Sequence, residues 1–114
     1  MKENILDIVN KVKIAKMIFL KLIKSNDVGA TGAHQAGFHL PKNSWRLFFD
    51  SPGIKGHNKD KYVTIRWHET FETESRAIYY GQGTRNEYRL TRFGLNFPYL
   101  KEQNIDSLLI IIRN

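Results

Sequence analysis

The second half of the chain consists of short segments in which apolar and polar residues alternate, a pattern typical of half-buried β-strands. Residues 62–68 alternate in this way, and residues 76–80 form a second strand-like segment. Gly81 and Gly83 separate that segment from residues 84–92, which predicts a β-hairpin. Because no crossover helix lies between these segments, the pattern favours an antiparallel or mixed sheet.

The first half of the chain predicts two helices and two further strands. Apolar residues recur at steps of three and four within residues 3–15, which indicates a helix of about four turns. Residues 17–24 are a continuous apolar run with β-branched and aromatic members, and residues 38–40 are a short apolar segment before Pro41, so both are expected to be strands. A second, short helix is expected to carry Trp45, Leu47 and Phe48, with Asn43 or Ser44 as its N-cap.

The C-terminal part of the chain completes the predicted fold. Residues 93–106 are expected to be irregular, whereas residues 107–113 are apolar enough for a strand that is covered on both faces. The sequence has no internal repeat and no Pro/Gly-rich linker, so residues 1–114 are interpreted as one domain. The predicted class is α+β, mainly β: an open β-barrel of antiparallel or mixed strands with two packed helices.

Composition limits the possible partners and compartments. The net charge is +7 and the pI is near 9.8, values that favour a nucleic-acid partner. The absence of cysteine excludes disulfides and thiolate metal sites, and it is consistent with a reducing cytosol. No apolar run approaches 18 residues and the N-terminus does not resemble a signal peptide, so we expect a cytoplasmic protein without a membrane partner.

Two segments carry side chains suited to contacts with DNA. The loop at residues 26–37 contains three glycines together with Thr31, His34 and Gln35, although it lacks the Gly-Lys-Ser/Thr of a P-loop. In the hairpin, Arg85 can bond guanine, Asn86 can bond adenine, and Glu87 can accept from cytosine. Alternation places Arg85, Glu87 and Arg89 on one face and Asn86, Tyr88 and Leu90 on the other, unless a bulge intervenes. The alternative is an exposed Arg85–Glu87 ion pair of little consequence.

Enzymatic functions are less well supported by the sequence. The four histidines lie on separate segments, and no pattern of paired carboxylates typical of a nuclease is present, so we expect neither a metal site nor a catalytic site. One enzymatic alternative remains, a small metal-free ribonuclease in which His34, Glu87 and Arg85 supply acid, base and phosphate clamp. Nothing in the sequence fixes the mutual geometry of these three residues.

Three stretches resemble the N-terminal effector domain of EcoRII-type restriction endonucleases. They are KSNDVGATGAHQAGFHLP at residues 24–41, SRAIYY at residues 75–80, and TRNEYRLTRFG at residues 84–94. The order and spacing also match, over roughly residues 3–113. The resemblance implies a B3-like DNA-binding pseudobarrel in which two arms clasp duplex DNA in the major groove. The N-arm would lie around residues 31–35 and the C-arm around residues 82–88.

The resemblance also implies the site and the partner. Histidine, arginine and glutamate positions of the family fall on His34, Arg85 and Glu87, and a lysine of a strand before the N-arm falls on Lys21. The expected target is a short duplex site similar to CC(A/T)GG, bound by a monomeric domain that is a fragment of a larger enzyme. A separate nuclease domain would hold Mg²⁺, and none is expected here. The predicted base-contacting residues are Thr31, His34, Gln35, His39, Gln82, Arg85, Asn86, Glu87 and Tyr88. The predicted phosphate-contacting residues are Lys21, Lys24, Arg76, Thr84, Arg89 and Arg92.

Overall fold

A computed structural model describes residues 5–29, 37–94 and 96–114. The described part of the chain forms two α-helices and six β-strands. In chain order they are α1 (Ile5–Ile14), β1 (Met17–Leu22), β2 (Phe38–Leu40), α2 (Trp45–Phe48), β3 (Lys59–Trp67), β4 (Phe71–Tyr80), β5 (Glu87–Thr91) and β6 (Leu108–Arg113). Single 3₁₀ turns precede α2 and β6. Neither helix in these ranges is long and apolar enough to cross a membrane.

The strands form two antiparallel sheets. One has the order β2-β5-β4-β3, and the other pairs β1 with β6. The expected class, α+β and mainly β, is therefore confirmed, and every described pairing is antiparallel. Within the described residues the two sheets do not close into a barrel, so the B3-like pseudobarrel is not confirmed.

Aromatic side chains fill the space between the two sheets. Phe38 is fully buried, and Trp67 packs edge-to-face on Phe97 with 4.7 Å between ring centroids. From the two-stranded sheet, Phe19 and Ile111 pack against this cluster. Since aromatic residues bury large apolar areas, this core holds the four-stranded sheet in place.

Two local predictions for the helices are wrong. Ser44 does not cap α2, because its backbone is already helical (φ −68°, ψ −9°) and an N-cap residue needs an extended conformation. The expectation of two packed helices fails for α1, which has no buried residue and whose Ile5 is 79% exposed.

The predicted burial of the last strand on both faces is also wrong. In β6, Leu109 and Ile111 pack on the core, but Leu108 is 55% exposed. The physical reason is that the β1–β6 sheet packs on the core through one face, to which Phe19 of β1 also belongs.

Candidate nucleic-acid interface

Two loops leave the paired strands β2 and β5 at opposite ends. The β1–β2 loop (residues 23–37) leads into β2, and the β4–β5 loop (residues 81–86) leads into β5. The register pairs His39 with Arg89 and Leu40 with Tyr88. Because β2 has only three residues, the two loop ends are separated by roughly 10 Å of strand. The solvent-facing side chains of β2 and β5 lie between them.

A cluster of charged side chains occupies this position. Glu87 lies between two partners: Nε and Nη2 of Arg85 approach its Oε1 at 2.7 and 2.6 Å, and Nε2 of His39 lies 3.1 Å from its Oε2. The Arg85 and His39 side chains are 46% and 48% exposed. Tyr80, the register partner of Glu87, lies beneath Arg85, with the guanidinium carbon 3.6 Å from the ring centroid. The cluster therefore presents donors to solvent from a fixed position.

A buried carboxylate holds the base of the β1–β2 loop. Asp27 is 1% exposed, and its Oδ1 accepts the backbone N–H of His39 at 2.8 Å. Its Oδ2 accepts from the backbone N–H of Lys24 (2.8 Å) and from Nζ of Lys21 (2.6 Å). The backbone N–H of Gly37 donates to the Asp27 carbonyl at 2.8 Å. Asp27 thus joins the two ends of the loop to β1 and β2.

The β4–β5 loop is held by the segment that precedes β3. Oδ1 of Asn58 accepts the backbone N–H groups of Gly81 (2.9 Å) and Gln82 (3.1 Å). Nζ of Lys55 donates to the carbonyls of Gly81 (2.9 Å) and Gly83 (2.6 Å). Since these bonds satisfy backbone groups on both sides of the turn, the loop has a defined shape before any ligand is bound.

A third support for the β4–β5 loop comes from the core. The hydroxyl of the buried Tyr79 donates to Oδ1 of Asn86 at 2.8 Å. A Cβ atom added at Gly53 or at Gly81 would overlap the Tyr79 ring, so both positions require glycine for close approach. One lone pair of the Asn86 amide oxygen is therefore engaged, and this bond orients the Asn86 side chain.

Several predicted base-contacting residues are brought together, and others are not. His39, Arg85 and Glu87 form the cluster described above, whereas the exposed Gln82 lies on the adjoining loop. Thr31, His34 and Gln35 lie outside the described residues.

The structure separates Tyr88 from the other predicted base-contacting residues. Tyr88 is 4% exposed, its ring packs on Phe49 and Tyr79, and its hydroxyl accepts the backbone N–H of Gly53 at 2.6 Å. Burial raises the pKa of the Tyr88 phenol above its ordinary value, against the opposing effect of the Gly53 hydrogen bond. Because β5 alternates, Tyr88 points into the core while Glu87 and Arg89 point outward.

Lys21 is likewise unsuited to the phosphate contact predicted for it. Its side chain is 13% exposed, and Nζ donates to both Asp27 and the His39 carbonyl (2.7 Å). An ammonium group enclosed in this way supports the loop base and has little access to a phosphate.

The remaining predicted phosphate-contacting residues lie at or near the surface. Arg76 bonds Asp60 (2.6 Å), and this hydrogen bond is the main cause that raises the pKa of the Arg76 guanidinium. Arg92 donates to the Tyr62 hydroxyl at 3.0 Å, and Arg89 approaches the Gly37 carbonyl at 3.4 Å. Lys24 and Thr84 are exposed.

Four residues of the site were not identified from the sequence: Asp27, Lys55, Asn58 and Tyr80. Lys55 and Asn58 bond loop residues that are distant in the chain, and the Tyr80 contact depends on how the β4–β5 loop turns back over β4; a single sequence displays neither. Asp27 offered one local signal, since aspartate before a glycine turn often bonds nearby backbone N–H groups.

The structure does not assemble the ribonuclease alternative within the residues it describes. Glu87 and Arg85 bond each other, His34 lies outside the described ranges, and His39 contacts Glu87 instead. In the described part of the chain, no three His, Asp or Glu side chains come together in a way that could hold a metal ion.

Comparison with known proteins identifies one family. Residues 12–114 match the family model described as restriction endonuclease EcoRII, N-terminal. The chain is 35% identical over 101 residues to the type II restriction enzyme EcoRII of Escherichia coli, and the alignment covers 81% of this chain and 25% of that enzyme. The chain thus spans about a quarter of the length of this relative.

Proposed function

Because the chain belongs to the family of EcoRII N-terminal domains, we propose that it is the effector domain of a type II restriction endonuclease and binds duplex DNA at a short specific sequence. The observation that carries this proposal is the cluster of Arg85, Glu87 and His39 between two loops, each held by hydrogen bonds of its own. Donors and acceptors fixed in this way can match the edges of bases in the major groove.

Base contacts and phosphate contacts fall to different residues in this proposal. Arg85, with Asn86, Gln82 and His39, faces the bases, and Thr31, His34 and Gln35 would add contacts from the β1–β2 loop. Lys24, Thr84, Arg76, Arg89 and Arg92 would bond phosphates and set the position of the domain on the duplex. Tyr88 and Lys21 are left out because they are enclosed in the protein.

The wider activity follows from the family and is proposed on that basis. The target would be similar to CC(A/T)GG, and the isolated domain would bind as a monomer without a cofactor. A separate nuclease domain with Mg²⁺ would cleave DNA in the parent enzyme. Recognition alone is proposed for this chain, because the part of the relative that it matches is the N-terminal domain.

The proposal is tested by selecting bound duplexes from a randomised pool and measuring affinity against salt. We expect one enriched sequence, which Arg85→Ala binds about 1–3 kcal/mol more weakly while losing discrimination at one base pair. Lys24→Ala is the matched control and should weaken binding to all sequences, with a salt slope lower by about one unit.

Three results would argue against the proposal. A pool without enrichment contradicts sequence-specific binding, and no affinity for duplex at low salt indicates a protein-interaction domain instead. Metal-independent cleavage of RNA that His34→Ala abolishes would establish the ribonuclease alternative.

A further inference from the structure

We propose that Tyr80 is a positioning residue for base recognition: its ring and the Glu87 carboxylate together hold the Arg85 guanidinium with its outer pair of N–H groups free to bond guanine. This inference rests on the proposed function and specifies how one contact of the site becomes selective. Neither composition nor alternation assigns Tyr80 any role, and it comes from the contact between β4 and the β4–β5 loop.

The first step concerns which donors of Arg85 remain available. A guanidinium has five N–H groups, and in Arg85 the side-on pair at Nε and Nη2 faces one oxygen of Glu87. The second N–H of Nη2 and those of Nη1 point away from Glu87. Of these, the N–H of Nη2 and the adjacent N–H of Nη1 point outward side by side. This end-on pair has the fork geometry that matches O6 and N7 of guanine. Arg85 can therefore bond guanine without leaving Glu87.

The second step concerns the plane of the guanidinium. Its central carbon lies 3.6 Å from the centroid of the Tyr80 ring, a separation typical of stacking and favourable to a cation. If the guanidinium tilted away from the face of the Tyr80 ring, this contact would be lost. Tyr80 thus fixes the direction of the fork, while Glu87 fixes its rotation within the plane.

The third step concerns Tyr80 and Glu87 themselves. Tyr80 is a half-buried residue of the central strand β4, and the sheet register pairs it with Glu87. The second oxygen of Glu87 is engaged by His39 on β2. The residues that hold Arg85 thus stand on three adjacent strands. An arginine that is ordered before binding loses little conformational entropy when it binds. Because its N–H groups point in a fixed direction, it bonds poorly when another base replaces guanine at that position.

The experiment compares Tyr80→Leu with Tyr80→Phe on the duplex that the unaltered chain selects and on the same duplex with each base pair replaced in turn. Tyr80→Leu removes the ring, so discrimination at the base pair assigned to Arg85 should fall about fivefold. Affinity for unrelated duplex and the salt slope should stay unchanged. Tyr80→Phe keeps the ring and should retain the discrimination of the unaltered chain.

Tyr62→Leu is the matched control, because Tyr62 stacks with another arginine, Arg92, at 5.3 Å on the same sheet. It should leave discrimination intact. A double-mutant cycle separates positioning from loss of folding: in the Arg85→Ala background, Tyr80→Leu should cause no further loss of discrimination.

The outcomes distinguish this inference from the function on which it rests. Two outcomes refute the positioning role and leave the proposed function standing. In the first, the unaltered chain enriches a sequence and Tyr80→Leu discriminates as well as the unaltered chain. In the second, Tyr80→Leu still lowers discrimination in the Arg85→Ala background. If the unaltered chain enriches no sequence, both are refuted.

Discussion

Replacing Asp27 by asparagine should destabilise the domain severely, because three donors converge on this one side chain. The carboxylate accepts from the backbone N–H groups of Lys24 and His39 and from the ammonium of Lys21. An asparagine side chain has a single acceptor oxygen, so its NH₂ group would have to face at least one of these donors. The ammonium of Lys21, whose side chain is 13% exposed, would lose the charge that balances it.

The size of the effect follows from burial. Breaking a buried ion pair by removing one partner costs about 3–5 kcal/mol, because the remaining charge stays out of water without compensation. A domain of this length unfolds with a total free energy of about 5–15 kcal/mol. Asp27→Asn should therefore remove a large share of the stability and, at the low end of that range, leave much of the protein unfolded.

Urea denaturation followed by tryptophan fluorescence measures this loss, since Trp67 lies in the core. The matched control is Asp50→Asn at an exposed position, where a change within about 0.5 kcal/mol is expected. A loss below about 1 kcal/mol for Asp27→Asn would show that Lys21 and the two backbone N–H groups find other partners, and the account of the loop base would fail.

Two further predictions concern the packing of the β4–β5 loop and the buried phenol of Tyr88. Gly81→Ala should lower the free energy of unfolding in urea by about 1–3 kcal/mol, because the new Cβ would overlap the His57 carbonyl and the Tyr79 ring. Gly83→Ala is the control: its Cβ meets no neighbour, so only the positive φ of this position should destabilise the variant. Equal losses would contradict the packing argument. Since burial raises the pKa of Tyr88, the folded state holds the phenol proton more tightly than the unfolded state does. The contribution of Tyr88 to the free energy of unfolding is therefore fully present below about pH 10, and it declines as the pH rises beyond that value. Tyr88→Phe should flatten this decline, and parallel curves for the two proteins between pH 9 and pH 11 would disprove it.

The strands were predictable because their signal is local. Alternation in residues 62–68 located β3, and the glycines at 81 and 83 located the hairpin turn between β4 and β5. The pairing of β1 with β6 has no such signal, since the two strands lie about 90 residues apart and are both simply apolar. Exposure of Leu108 depends on which face of that sheet packs on the core, which the composition of β6 does not indicate.

The functional site was predictable only in part, for a related reason. Residue chemistry located Arg85 and Glu87, but the contacts that order them come from Tyr80 and His39 on other strands. Tyr88 differs from these residues: alternation places it on the face opposite Glu87, where the structure buries it, although the resemblance to a family arm spanning residues 82–88 predicts a base contact. Where the two conflict, the periodicity of the strand is the better guide to which side chains face a ligand.

Burial decides which of the basic residues can serve DNA binding. The Arg85–Glu87 pair lies at the surface, so the donors of Arg85 that do not face Glu87 can engage a ligand without stranding a buried charge. The pair of Lys21 with Asp27 is enclosed, so withdrawing Lys21 toward a phosphate would strand a buried carboxylate. Of these two basic residues, both predicted to contact DNA, burial therefore leaves only Arg85 accessible to a ligand and gives Lys21 a role in holding Asp27.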